Sequence, residues 1–179
     1  KVVTPVMKPQ KDVVVETSLM KVTFTDFGGG IKSVQLAQYK EHVRDSKPKE
    51  LIEDVKPYIY LPRATKVADG ETIDDRIFFN TDKEFIKVQD KPQSLVFSGK
   101  MADGKVIKKT YTFFPDSYVI DMKIEIESTG KEKTMLDFAV ISAQKDSSYT
   151  FKGPFLYARK KFEQIEKIEK NIEVDKTFT

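Results

Sequence analysis

Between Tyr118 and Glu127 the chain alternates without interruption. Tyr118, Ile120, Met122, Ile124 and Ile126 fall on one side, and Val119, Asp121, Lys123, Glu125 and Glu127 on the other. Successive strand side chains point to opposite faces, so this period of two gives one apolar face and one mostly charged face, the mark of a half-buried antiparallel strand. Shorter runs of the same kind recur at Met20-Val22-Phe24, Leu95-Phe97, Ile107-Lys109-Tyr111-Phe113 and Leu136-Phe138-Val140. Turn residues separate them. Asp103-Gly104 sits between Ser94–Met101 and Lys105–Phe114 as a hairpin signature, Pro115-Asp116 turns the next pair, and Ser128-Thr129-Gly130 turns the one after. The pattern predicts a meander of four consecutive strands whose apolar faces are buried between two packed sheets.

A chain of 179 residues is one domain by length and can bury about 70% of its unfolded surface. The hydrophobic 39% includes 13 Phe and 7 Tyr but no Trp, which predicts a core of aromatic and β-branched residues. Lys and Arg number 31 against 28 Asp and Glu, and the +3 that remains is interleaved along the chain. Nucleic-acid or acidic-lipid binding needs clustered cations, so this balance argues for a solvated surface instead. Cysteine is absent, which excludes disulfide stapling and thiolate chemistry. No apolar run exceeds four residues, as at Phe138-Ala139-Val140-Ile141, far below the roughly 18 to 20 that a spanning helix needs. The start at Lys1, without an initiator Met or a signal-peptide apolar stretch, reads as a piece of a longer protein.

The ends differ from the middle. Residues 1–11, with Pro5 and Pro9 among polar residues, read as a linker entering a first strand at Asp12–Thr17, and the folded body is expected over 12–175. Residues 41–57 are charged and carry Pro48 and Pro57, which predicts a long loop with room for a short helical turn. Near the C-terminus Phe162, Ile165, Ile168 and Ile172 fall at helical spacing among Glu, Lys and Gln. They predict a short helix with a narrow apolar stripe, and a short edge strand over Lys161–Lys167 is the competing reading.

Residues able to carry chemistry are sparse. The single histidine, His42, lies in the charged loop and reads as solvated, which excludes any mechanism needing two imidazoles. Asp69-Gly70-Glu71 with Asp74-Asp75 lacks the spacing of a calcium loop and reads as a solvated acidic turn. Asp121, Glu125 and Glu127 share the polar face of one strand with Lys123 and read as a water-facing row. No catalytic, cofactor-binding or metal-binding residue is assigned, and no cofactor is expected. Gly28-Gly29-Gly30, between two strand-like runs, reads as a reversal that needs positive φ; the Lys-Ser/Thr and helix that a phosphate loop requires do not follow it.

Three stretches nonetheless carry a resemblance. Glu16-Thr17-Ser18-Leu19-Met20-Lys21-Val22-Thr23-Phe24 leads through Gly28-Gly29-Gly30-Ile31 to Leu36 and Tyr39-Lys40. Lys108-Lys109-Thr110-Tyr111-Thr112-Phe113 is followed by Asp116-Ser117-Tyr118-Val119-Ile120-Asp121. Lys152-Gly153-Pro154-Phe155 precedes Lys160-Lys161-Phe162-Glu163-Gln164-Ile165. In order and spacing these resemble the large periplasmic domain of the YidC family of bacterial membrane protein insertases, across about residues 12–170. The resemblance implies an all-β, antiparallel two-sheet β-supersandwich akin to galactose mutarotases, with a helical element near the C-terminal end. It also implies a non-enzymatic accessory domain on the periplasmic face of the inner membrane, without the membrane-embedded bundle that performs insertion. Sec translocon components, the membrane-embedded part of the same protein and substrate membrane proteins are the implied partners. Phe162, Ile165, Ile168 and Ile172 are the candidate interaction surface. A carbohydrate-binding or mutarotase-like domain is the alternative that the fold analogy suggests, though fold alone does not carry function.

Overall fold

The computed structural model describes residues 9–44, 46–52, 62–68, 71–81, 83–128, 133–137, 155–158 and 161–164. The strands in chain order are β1 (Asp12–Glu16), β2 (Met20–Thr25), β3 (Ile31–Lys40), β4 (Pro48–Glu50), β5 (Arg63–Ala68), β6 (Glu71–Asp74) and β7 (Phe85–Lys87). They continue as β8 (Gln93–Lys100), β9 (Val106–Phe113), β10 (Ile120–Ile126), β11 (Lys133–Asp137), β12 (Phe155–Ala158) and β13 (Lys161–Gln164). No helix occurs among the described residues. The chain divides into two compact units, Lys1–Phe138 and Ala139–Thr179.

The first unit is an antiparallel-rich β-sandwich. One sheet has the order β4-β3-β2-β1-β7, antiparallel except for the parallel pairing of β1 with β7, and another has the order β10-β9-β8. Their facing residues follow from the alternation. Val13 and Val15 of β1 lie beside Phe24 and Val22 of β2, and all four are buried. Leu95 and Phe97 of β8 and Ile107, Tyr111 and Phe113 of β9 supply the opposing layer. The ring of Phe24 joins the two, 4.7 Å from Tyr111, 5.8 Å from Phe97 and 6.0 Å from Phe113, centroid to centroid. Tilted and edge-on aromatic pairs at such distances add to the area they bury. A third sheet, β11-β5-β6, contributes buried Ala64. In the second unit β12 and β13 form an antiparallel hairpin with Tyr157 opposite Phe162.

Several sequence expectations hold. Asp103-Gly104 turns β8 into β9 with Gly104 at φ 80°, and Pro115-Asp116 turns β9 toward β10. Gly28 and Gly29 take φ 75° and 57° between β2 and β3. A Cβ on Gly29 would also lie 3.3 Å from the Phe97 side chain, so this turn is closed against the core as well as left-handed.

Others need correction. The meander ends after three strands, because β11 leaves β10 and pairs with β5, where Leu136 lies opposite Ala64 and stays exposed. Tyr118 precedes β10 and is exposed, and the β10 face of Ile120, Met122, Ile124 and Ile126 is half-buried while Asp121, Lys123 and Glu125 are exposed. That sheet has three strands against five, so a strand at its margin lacks full cover. The charged 41–57 segment holds strand β4. Phe162 belongs to strand β13, so the helical stripe is not formed at its first residue; Ile165, Ile168 and Ile172 lie outside the described residues, as do Phe138 and Val140.

The difference in burial has a measurable consequence. Phe24→Ala is expected to cost about 3–5 kcal/mol, and Ile124→Ala, on the half-buried margin, about 1–2 kcal/mol. Urea unfolding of both variants checks this, and equal losses would mean that β10 is as enclosed as β2.

Candidate functional site

The inward face of β9 reads Ile107, Lys109, Tyr111, Phe113, which places a lysine where the period demands an apolar side chain. Lys109 is 0% exposed, and burying an ammonium is costly unless it is paired and fully hydrogen-bonded. It is both. Its Nζ lies 2.5 Å from Asp75 Oδ2 and donates to the carbonyls of Gly28, at 2.7 Å, and Pro62, at 2.9 Å. An ammonium has three protons, so every donor is used. The same Nζ stands 5.5 Å from the centre of the Phe79 ring.

Asp75 is 1% exposed, and its Oδ2 also accepts the Ala64 N–H at 2.8 Å. The expected solvated acidic turn is therefore corrected at this residue, which is an interior counter-ion, while the partly exposed Asp74 pairs with the exposed Arg76; Asp69 and the side chain of Glu71 lie outside the described residues. Asp75 is carried inward because the chain after β6 runs along the glycine turn. Gly28 N–H donates to Ile77 O at 2.8 Å and Phe79 N–H to Asp26 O at 2.8 Å.

Each carbonyl of the glycine triplet has a partner. Gly28 O accepts from Lys109, Gly29 O from the Tyr111 hydroxyl at 2.8 Å, and Gly30 O from Thr25 N–H at 3.0 Å. Positive φ at Gly28 and Gly29 turns their carbonyls toward β9, which an L side chain would resist. Burial pushes the Lys109 ammonium below its usual range, and Asp75 opposes that drift. Burial, reinforced by the charge of Asp75, pushes the Tyr111 phenol well above its usual range. A second inward lysine, Lys66 of β5, is 1% exposed and pairs with Asp103 in the β8–β9 turn; that hydrogen bond holds the Asp103 carboxyl below the usual carboxylate range.

The arrangement fixes backbone and leaves no reacting group free. Lys109, Asp75 and Tyr111 were missed as a unit. Their one sequence signal is the charge at an inward position of β9. His42 is exposed after β3, as expected. Among the described residues no three His, Cys, Asp or Glu side chains converge as metal ligands, and no helix is long and apolar enough to cross a membrane. Of the proposed interaction surface only the backbone of Phe162 is described.

Two outcomes follow from the buried cluster. Lys109→Met strands a buried carboxylate and should cost about 3–5 kcal/mol in urea unfolding, whereas Lys109→Met with Asp75→Leu should recover about half of that loss; purely additive losses would show that the pair is not coupled. In alkali the unfolded chain releases the Tyr111 proton near pH 10 while the folded chain retains it, so stability falls as pH rises above that value. Tyr111→Phe should flatten this fall between roughly pH 9.5 and 11, and an unchanged slope would show that the phenol ionises within the fold.

The relatives agree with one another. A family model described as the YidC periplasmic domain matches residues 12–178. The membrane protein insertase YidC of Syntrophus aciditrophicus (strain SB) is 30% identical over 171 residues, which cover 90% of this chain and 31% of the relative. That of Pelobacter propionicus is 26% identical over 162 residues, 86% of this chain and 30% of the relative. That of Neisseria gonorrhoeae (strain NCCP11945) is 23% identical over 158 residues, 83% of this chain and 29% of the relative. The chain thus spans about a third or less of the length of these curated relatives. With nearly its whole length matched, the chain belongs to the YidC periplasmic domain family, a periplasmic module of membrane protein insertases.

Proposed function

We propose that this chain is a non-catalytic accessory domain that serves membrane protein insertion through its surface. The observation that supports this reading is the sealing of Lys109 and Asp75. Lys109 and Asp75 are buried and paired with each other, and the ammonium is committed to backbone carbonyls, so a substrate could reach this pair only by opening the sandwich. The partners that suit the role are the membrane-embedded part of the same protein, Sec translocon components and periplasmic stretches of substrate membrane proteins. A chaperone-like contact with such stretches belongs to the same proposal.

The segment from Phe162 to Ile172 is proposed as the region through which the domain's orientation matters to insertion. Replacing Ile165 and Ile168 together with Ser in the full-length insertase, then measuring insertion of a dependent substrate, tests it. Reduced insertion with a folded domain is the expected result. Wild-type insertion would refute the assignment of this region, and wild-type insertion after removal of the whole domain would refute the accessory role.

A further inference from the structure

Sheet edges present unpaired backbone groups, and natural proteins shorten, bend, cover or charge them. Most edges of the first unit follow that rule. β4 has three residues and begins with Pro48, β7 has three, β6 four and β11 five. β8 is long, but Asn80 exchanges both backbone hydrogen bonds with Ser98 along it, at 2.8 and 3.0 Å, and Lys83 Nζ donates to Ser94 O. β10 differs. It runs seven residues in unbroken register with β9, without proline or bulge, and no strand among the described residues pairs with its other side.

The register shows which groups face outward. Glu127 N–H donates to Val106 O, so Glu125, Lys123 and Asp121 likewise direct their backbone groups to β9. The N–H and C=O groups of Ile120, Met122, Ile124 and Ile126 therefore point away from the sheet.

The side chains along this edge complement themselves. In an antiparallel pairing of β10 with a second β10 about a two-fold axis at Met122, Asp121 stands opposite Lys123 twice and Ile120 opposite Ile124 twice. The same register sets Tyr118, 43% exposed, opposite the half-buried Ile126, and Val119, 59% exposed, opposite Glu125. An axis at Lys123 would oppose two lysines, and one at Glu125 two glutamates; an axis at Ile124 would set Lys123 against Glu125 twice but also Asp121 against Glu127 twice, so its like-charge pairs offset its opposite-charge pairs. Like charges directly opposite destabilise a pair and opposite charges support it. We infer that β10 is a homodimerisation edge, pairing with a second copy of this chain about Met122 into a continuous six-stranded sheet. This rests on strand geometry and charge, independently of the insertase reading.

A contact of this length is small, so self-association is weak and is sought at high concentration. Sedimentation equilibrium of the chain should show a reversible dimer. Asp121→Lys and Lys123→Asp, both at exposed positions, should each weaken it about tenfold by turning opposite charges into like ones, with unchanged urea midpoints. Combining the two should restore wild-type association, because the swapped charges again oppose each other. Since the chain has no cysteine, Met122→Cys supplies a single thiol at the axis. Two such residues would lie about 5.5 Å apart between Cα atoms, within disulfide reach. Oxidation should link Met122→Cys chains and leave Ile124→Cys chains unlinked, since thiols at that position are offset by about 13 Å along the strands. A monomer at about 1 mM, a swap without rescue, or linkage through position 124 equal to that through 122 would overturn the proposal.

Discussion

The fold of the first unit turns on one ammonium group. Lys109 Nζ joins β9 to Gly28, 81 residues away in sequence, to Pro62, 47 residues away, and to Asp75. A charge in the interior tolerates little displacement, because any lost partner leaves a desolvated ion without compensation. The group therefore sets where four chain segments meet more strictly than apolar packing would. It also explains the glycines. A carbonyl can be aimed into the sandwich from a turn only if the turn adopts a left-handed backbone, and Gly28 and Gly29 adopt it. The Tyr111 hydroxyl, one inward position along the same strand, repeats the arrangement at Gly29.

The packing that surrounds this node is uneven. Phe24 lies within ring-contact distance of Phe97, Tyr111 and Phe113, and β1, β8 and β9 around it carry fully buried residues. At the margins the apolar faces outrun their cover. Val34 and Leu36 of β3 and the even-numbered residues of β10 pack against the core yet remain half-buried. A five-stranded sheet facing a three-stranded one produces such margins, and they are where a further strand or a partner surface gains most apolar contact.

Local patterns in the sequence gave away local structure. The alternation at Met20-Val22-Phe24, at Leu95-Phe97 and along Ile107–Phe113 marks β2, β8 and β9 with the inward faces seen, and Asp103-Gly104 marks the hairpin. Non-local pairing was not legible. The parallel addition of β7 to β1 and the pairing of β11 with β5 join strands some 70 residues apart, and neither has a turn between its partners to announce it. Leu136 follows from this. Its alternation is genuine, but the face it belongs to is decided by β5, and there it is exposed. By sequence Asp75 belongs with the charged turn before it, yet hydrogen bonds at Ile77 and Phe79 draw that stretch against the glycine turn and carry the carboxylate inward. At Phe162 the competing reading of an edge strand holds over Lys161–Gln164, where hairpin pairing decides the local structure and spacing alone does not report cross-strand partners; the stripe's other residues lie outside the described residues.

These features bear on function in one direction. Lys109, Asp75 and Tyr111 are committed to holding the fold of the first unit, so the proposed accessory role is a question of faces and edges. The polar outer face of β10, where Lys123 lies 2.8 Å from Glu125, carries both signs of charge in alternation. Alternation of this kind neither repels a copy of itself nor attracts nucleic acid or anionic lipid in bulk. It discriminates by register: a strand with the matching order of charges can add to the edge, and one shifted by a residue pair cannot. Backbone groups that face outward would supply general adhesion, and the order Asp121, Lys123, Glu125 would decide which strand is accepted.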